Sequence, residues 1–339
     1  MRVAVLHPSG DKDGRWIDDF APQGTRYDFY RVPPIAKPTS WHMGGSKTSS
    51  SQWTMHLQHV DQAFKTLPDV VVTNFPQLAL AAGVRKTWSV KQRPQIVGWS
   101  YNLGDIGNPL KGKGSGVFLR NVDRLIVHSR EEIARYAAWH GLAEERFSFV
   151  PLQRGAMTRL APSEEEPFAV AMGSAGRDYL SLLEAASGFD GKIVLVCKPD
   201  LVAGMTIPPN VELRHGMSLA ACEELNARAR FSIVPISNLT TASGQVTFLM
   251  SMALGCPVIA TDCPGTRDYL IDGQGAVIVP PLDPDALRAA MNRLWHDDQA
   301  RSSLGKAAYA EWSEKFSDPV AGANLTKILD DVTGTASHP

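Results

Sequence analysis

The chain has 339 residues, 44% of them hydrophobic, which suits one or two globular domains with full-sized cores. It contains no run of about 18 apolar residues, and its start, MRVAVLHPSG, lacks the longer apolar region of a signal peptide. The formal net charge of −1 hides an asymmetry: residues 1–155 hold 20 Lys and Arg against 13 Asp and Glu, and the remainder 14 against 22. A basic first half points to an anionic partner there, although chance unevenness would read the same way.

In chain order, RVAVLHP reads as a strand, and SSQWTMHLQHVDQAFKTL has helical spacing with Trp53, Leu57, Val60 and Phe64 on one face. PDVVVTNFP is a buried strand, QLALAAGVRKTW a helix, and RPQIVGWSY another strand. VFLRNV ends a helix, DRLIVHS is a strand, and SREEIARYAAWHG is a helix with a Ser129–Glu132 capping box and a Gly141 stop. RFSFVPL closes the half. Continuously apolar strands alternating with helices imply a parallel sheet covered on both faces. The polar, proline-bearing stretch from about 155 to 166 reads as a domain boundary.

The pattern then restarts. FAVAMGS, KIVLVCKP, NVELRHGM, FSIVPI and GAVIVPP read as strands, and RDYLSLLEAASG, SLAACEELNARA (opened by Ser218) and DPDALRAAMNRLW (opened by Asp283) as helices. Two doubly wound, Rossmann-like α/β domains facing a cleft are expected, at 1–155 and 166–317, with a helix at 318–339 that packs back on the first. Ligands are expected where strand C-termini end. Cys197, Cys222, Cys256 and Cys263 form no CxxC pair and read as small residues in a reducing compartment. His56 and His59 are spaced for a metal, but no third ligand is evident, so helix-surface histidines are expected and no metal is assigned. PLKGKGSG (109–116) fits no P-loop and reads as a surface for an anionic acceptor or membrane.

The stretch ALGCPVIATDCPGTRDYLIDGQGAVIVPPLDPDALRAAMNRLW resembles the C-terminal signature of GT-B nucleotide-sugar glycosyltransferases, in particular the large retaining family of polysaccharide and lipopolysaccharide enzymes. GRDYLSLLEAAS resembles the first helix of the same domain, and the similarity covers about 160 to 317. The resemblance implies a 1–155 acceptor-binding domain, a 166–317 nucleotide-sugar domain and no required metal or cofactor, the nucleotide sugar being a substrate. Within that frame, TASGQVTFLMSMALG gains a physical meaning. A helix N-terminus offers free N–H groups to a diphosphate, and small residues let it approach. Ser243, Gly244, Gln245, Val246 and Thr247 are the expected binding residues. The family's two helix glutamates fall at Ala242 and Met250, which marks this chain as divergent, and Gln245 is the candidate polar substitute on the sugar side.

Arg177 stands where the family places a cation for the leaving diphosphate, while Ser174 replaces a companion arginine. Arg177 is therefore expected both to bind the donor and to act in catalysis. Lys198 is expected at a strand end, and the backbone of Gly216 and Met217 against the base. The family's histidine after QIVGW is absent. Of Asn102 and Asp105 there, Asp105 is the catalytic candidate, and Asp11 and Asp13 are further polar residues on the same edge. The expected function is transfer of a sugar, with no required metal, from a UDP-linked donor to a glycan or lipid-pyrophosphate-linked acceptor. The setting is cytoplasmic or peripheral on an anionic inner-membrane face, with no nucleic acid involved. A nucleotide-sugar epimerase on the same fold, or a non-catalytic GT-B module, are the alternatives.

Overall fold

The computed structural model describes all residues except 9–16, 23, 35–47, 91–92, 105, 164 and 336–339. The chain forms two compact units, Met1–Pro151 with Pro319–Pro339, and Leu152–Asp318.

Unit 1 is built from β1 (Arg2–Leu6), β2 (Asp28–Val32), α1 (Ser50–Lys65), β3 (Val70–Asn74), α2 (Pro76–Trp88), β4 (Gln95–Trp99), α3 (Pro109–Leu119), β5 (Arg124–Val127), α4 (Glu131–His140) and β6 (Phe147–Phe149). Its six strands are all parallel, in the order β2-β1-β3-β4-β5-β6. The runs VAVL of β1 and VVV of β3 are continuously apolar because both faces are covered. On one face Ala4, Leu6 and Val71 pack with Val60, Phe64 and Leu78 of the helices. On the other, Val3, Val5, Val70 and Val72 meet Ala321, Leu325, Ile328 and Leu329. Those last four lie on α11 (Asp318–Thr333), which therefore supplies part of the unit 1 core. Each such buried aliphatic side chain contributes roughly 1.5–3 kcal/mol.

Three details differ from expectation. His56 and His59 are buried, not on a helix surface, because β2, a strand whose DFYRV pattern is only half-buried, supplies the Val32 carbonyl that pairs with His59 Nε2. Burial pushes the His56 pKa down to about 4, aided by neighbouring His59, so the ring stays neutral. PLKGKGSG, read as a surface for an anion, is helical, and two of its three glycines, Gly112 and Gly116, are packing devices. A Cβ at Gly112 would collide with Trp139, and one at Gly116 with the His140 carbonyl, so α3 and α4 touch backbone to backbone. Finally, α4 is capped at Arg130 without a side-chain bond, and Glu132 instead accepts from the Tyr136 hydroxyl at 2.9 Å.

Unit 2 contains β7 (Phe168–Met172), α5 (Tyr179–Ala186), β8 (Lys192–Val196), β9 (Val211–Arg214), α6 (Leu219–Arg228), β10 (Ser232–Val234), α7 (Gln245–Ala253), β11 (Val258–Thr261), α8 (Pro264–Arg267), β12 (Ile271–Asp272), β13 (Gly275–Val279), α9 (Pro284–His296) and α10 (Asp298–Lys315). Its seven parallel strands run β12-β13-β11-β10-β7-β8-β9. The segment after Pro151 belongs to this unit: Leu152 and Met157 pack against its core, and Leu152 N–H donates to the Tyr269 hydroxyl at 2.9 Å. The four cysteines are free thiols.

Candidate functional site

The order of the unit 2 sheet reverses once. From β7 the chain moves through β8 to β9 on one side, and from β10 through β11 to β13 on the other. The gap between the loops that leave β7 and β10 is thus the topological switch point, where open α/β sheets bind ligands. The β7 loop carries Arg177 and the β10 loop leads into α7, so the two strongest sequence candidates meet there. Main-chain bonds join the loops: Asp178 N–H donates to the Pro235 carbonyl at 3.1 Å, and Ser237 N–H to the Gly176 carbonyl at 3.0 Å.

The N-cap of α7 is Gly244, with φ +93° and ψ −22°. Two demands select glycine. The backbone is left-handed, and a Cβ would lie 2.7 Å from Ile236 Cδ1 and 3.2 Å from Val234 Cγ1. No side chain caps the helix. The first intrahelical bonds run from Thr247 and Phe248 N–H to the Gly244 carbonyl, which leaves the Gln245 and Val246 N–H groups at the open end. No acidic residue stands in the first turn, and Val246 is 54% exposed, so the turn reaches the surface of the unit. The Ser243 hydroxyl is buried without a partner beneath Gly176.

Arg177 lies directly against this turn. Its Nη2 donates to Thr247 Oγ1 at 2.9 Å, Nη1 to the Ala175 carbonyl at 2.9 Å, and Nε to the Met172 carbonyl at 3.2 Å. All three acceptors are neutral. Asp178 caps α5 instead, accepting from Ser181 N–H, and forms no ion pair with Arg177. Desolvation pushes the Arg177 pKa below its ordinary value, which an approaching anion would reverse. The guanidinium packs on Gly173, where a Cβ would come within 2.5 Å of Nη2, so the glycine of MGSAGR is required for this placement. A guanidinium whose three acceptors are all neutral, beside a helix N-terminus, makes a pre-built anion site.

The remaining candidates spread along the same sheet edge. Lys198 is exposed at the end of β8, and Gly216 (φ +66°) is exposed after β9. Met217 is half-buried against an apolar cluster that includes Met250, Phe168, Val170, Met172 and Leu254. Met250 is 4% exposed and Ala242 7%, so the two positions where the resembled family carries glutamate are core positions here. The Gln245 side chain is also buried. Asp105, Asp11 and Asp13 lie outside the described residues, so the catalytic role expected of Asp105 rests on sequence alone. Asn102 turns the chain after β4, accepting from Gly104 N–H at 2.8 Å. Sequence reasoning missed Asn238, whose side chain bonds Thr240 and Thr241 and shapes the loop before α7; the NLTT run was its available signal.

Residues 190–297 match the sequence profile of the family described as Glycosyl transferases group 1. The D-rhamnosyltransferase WbpZ of Pseudomonas aeruginosa is 27% identical over 141 residues, 40% of this chain and 37% of that protein. The chain spans well under half the length of the curated relatives it matches. Among solved structures, sucrose-phosphate synthase from Thermosynechococcus elongatus superposes with a TM-score of 0.74 at 15% identity, over 99% of this chain and 100% of that one. Anabaena HepE in complex with UDP-glucose gives 0.70 at 13%, over 98% and 100%. The chain is a GT-B-fold protein whose second unit carries the group 1 glycosyltransferase pattern.

Proposed function

We propose that the protein is a hexosyltransferase that moves a sugar from a nucleotide-diphosphate donor, UDP-linked, to a hydroxyl of a glycan or lipid-linked glycan in polysaccharide assembly. One observation carries this reading: Arg177, without a carboxylate partner, sits against the uncapped N-terminus of α7 at the switch point. In the reaction the bond from the sugar's anomeric carbon to the diphosphate breaks, and its electron pair leaves with the diphosphate. The acceptor hydroxyl forms the new bond and gives up its proton, which the leaving diphosphate or solvent takes up. Negative charge grows on the leaving group, where the guanidinium and the Gln245 and Val246 N–H groups can meet it. Such stabilisation is worth several kcal/mol. The positive charge comes from the protein, so the reading requires no metal.

UDP as the leaving group is favoured by HepE, which was crystallised with UDP and with UDP-glucose. Lys198, Gly216 and Met217 would lie towards the nucleoside, and Ser243, Gly244 and Thr247 around the diphosphate. Calorimetric titration with UDP tests the reading: wild type should bind and Arg177→Ala should bind at least tenfold more weakly. Equal affinity would remove Arg177 from the site. Incubation of donor without acceptor separates transfer from epimerisation, because only an epimerase yields a new nucleotide sugar.

A peripheral position on an anionic membrane has its own support. On α3, Leu110 is 78% and Val117 53% exposed, and Lys111 and Lys113 are exposed beside them. Each basic residue near an anionic surface is worth about 1 kcal/mol. Co-sedimentation with phosphatidylglycerol vesicles, but not with phosphatidylcholine vesicles, is the expected result. None of the described helices is long and apolar enough to cross a membrane.

A further inference from the structure

The helices α1, α2 and α3 of unit 1 put Val60, Leu78 and Leu119 into the core. Where their side chains are only half-buried, the same three helices enclose an open cavity of about 320 Å³. Trp53 and Leu57 of α1, Leu80 and Val84 of α2, and Gly114 and Phe118 of α3 line it. Its one hydroxyl, that of Ser115, is committed to its own helix, donating to the Gly112 carbonyl at 2.7 Å. The only other polar side-chain atom in the lining is the Trp53 indole nitrogen, a single donor. A sugar or a nucleotide would find almost nothing to bond there, whereas a hydrocarbon would lose nothing by entering. Exposed apolar residues extend the groove. On α3, Leu110 and Val117 share a helical stripe with Gly114, and on α2 the exposed Trp88 follows Leu80 and Val84 at spacings of four. A continuous apolar surface of this kind marks an interaction site.

Charge narrows the choice of occupant. The three helices hold Lys65, Arg85, Lys86, Lys111 and Lys113 against a single carboxylate, Asp61. Asp61 pairs with Arg85, and Lys86 is buried against Asp123 at 2.7 Å. Lys111 and Lys113 are exposed, and among the described residues no carboxylate pairs with either. Lys111 precedes Ser115 and Phe118 by one and two helical turns, on the side of α3 that lines the groove. Lys113 stands three residues from Leu110 and four from Val117, on their stripe. A second copy of this chain laid face to face on the groove would set lysine against lysine. The occupant that complements both features carries a hydrocarbon chain and an anionic head.

We infer that the groove between α1, α2 and α3 takes an acyl chain of an anionic phospholipid from a bilayer, with Lys111 and Lys113 at the headgroup phosphate. The inference rests on the peripheral-membrane reading and goes beyond it. A chain in the groove holds the protein through burial of apolar surface, which salt does not screen, in addition to charge, which salt does.

Calorimetric titration of the full chain tests this with soluble probes kept below micelle formation: dihexanoyl and dioctanoyl phosphatidylglycerol, dioctanoyl phosphatidylcholine, and glycerol phosphate. The dioctanoyl phosphatidylglycerol should bind on the order of tenfold more tightly than the dihexanoyl lipid, since each buried methylene adds about fourfold. It should bind about fivefold more tightly than the neutral phosphatidylcholine, and glycerol phosphate, a head without a chain, should not bind measurably. Gly114→Gln puts a polar side chain in the groove. Its Cβ would meet open space, and glutamine suits a helix better than glycine, so the fold is kept. This variant should lose at least fivefold in affinity for dioctanoyl phosphatidylglycerol and bind UDP as wild type does. Lys111→Ala combined with Lys113→Ala should bring phosphatidylglycerol down to the phosphatidylcholine level. Equal affinity for the two chain lengths, or a Gly114→Gln protein that binds the dioctanoyl lipid like wild type, would overturn the groove. Sedimentation with phosphatidylglycerol vesicles at raised salt separates the two readings. Equal recovery of wild type and Gly114→Gln would overturn the chain site and leave the membrane reading standing. A wild type that binds the soluble lipid through Gly114 yet ignores vesicles would remove the bilayer and leave the chain site. A dimer in lipid-free solution that Gly114→Gln dissociates would give the groove to a second copy and overturn the lipid.

Discussion

Each of the two sheets has a single reversal of strand order, and the two reversals are furnished differently. In unit 2 the switch point holds a guanidinium and an open helix N-terminus, all donors. In unit 1 it brings the buried, neutral His7 ring after β1 edge-on against the Phe75 ring after β3, with centroids 5.5 Å apart. The histidines follow the same division. The described histidines of unit 1 (His7, His56, His59, His128 and His140) are buried, whereas those of unit 2 (His215 and His296) are exposed. Topology sets where a ligand meets a doubly wound sheet, and the local side chains decide what chemistry it meets there.

The contrast is broken most severely at Arg177. Arg177→Ala should lower kcat/KM on the order of a hundredfold to a thousandfold, about 3–4 kcal/mol of transition-state stabilisation. Steady-state kinetics beside a thermal melt checks this, and a loss of activity that merely followed a loss of folded protein would contradict it.

Acid should next distinguish the units. Burial keeps His7, His56 and His128 neutral when folded, with pKa values lowered to about 4, while the unfolded chain takes up those protons near pH 6.5. Between these values the unfolded state binds more protons, so stability is complete above about pH 6.5 and falls as the pH drops towards 4. Each ring contributes up to about 3 kcal/mol to that loss. Hydrogen exchange at pH 5 should show unit 1 losing protection before unit 2; the reverse order would refute the assignment of these rings as buried and neutral.

Met250→Glu asks whether restoring a family carboxylate restores a function. Met250 packs among Phe168, Val170, Met172 and Leu254, so an unpaired carboxyl there should cost roughly 2–3 kcal/mol of stability. UDP affinity should not rise; a tighter complex would show that the position still faces the ligand. The smallest effect belongs to Gly116→Ala. Its Cβ would strike the His140 carbonyl, lowering Tm through about 1–3 kcal/mol of overpacking in unit 1 and leaving UDP affinity in place.

What could be read from sequence was whatever depends on neighbouring residues. The small residues before Gln245, the Gly141 stop (φ +65°) and the Ser218 and Asp283 caps are local signals, and the structure places each as read. Features made by contact between distant segments were not legible. The Ser100–His128 bond joins two strand ends 28 residues apart. The burial of His59 depends on β2, whose half-buried DFYRV carries no clean period. PLKGKGSG showed no helical period, because glycine disfavours helices, yet at Gly112 and Gly116 it serves close helix contact. The burial of Met250 was equally invisible, since a methionine at a helical position reads the same whether it faces ligand or core.

A crystal structure of the protein with UDP bound tests the central claim most directly. The account predicts the diphosphate within hydrogen-bond distance of the Gln245 and Val246 N–H groups, with the Arg177 guanidinium contacting the same phosphates. A nucleotide seated away from α7, or an Arg177 that keeps only its Met172, Ala175 and Thr247 partners beside bound UDP, would contradict it.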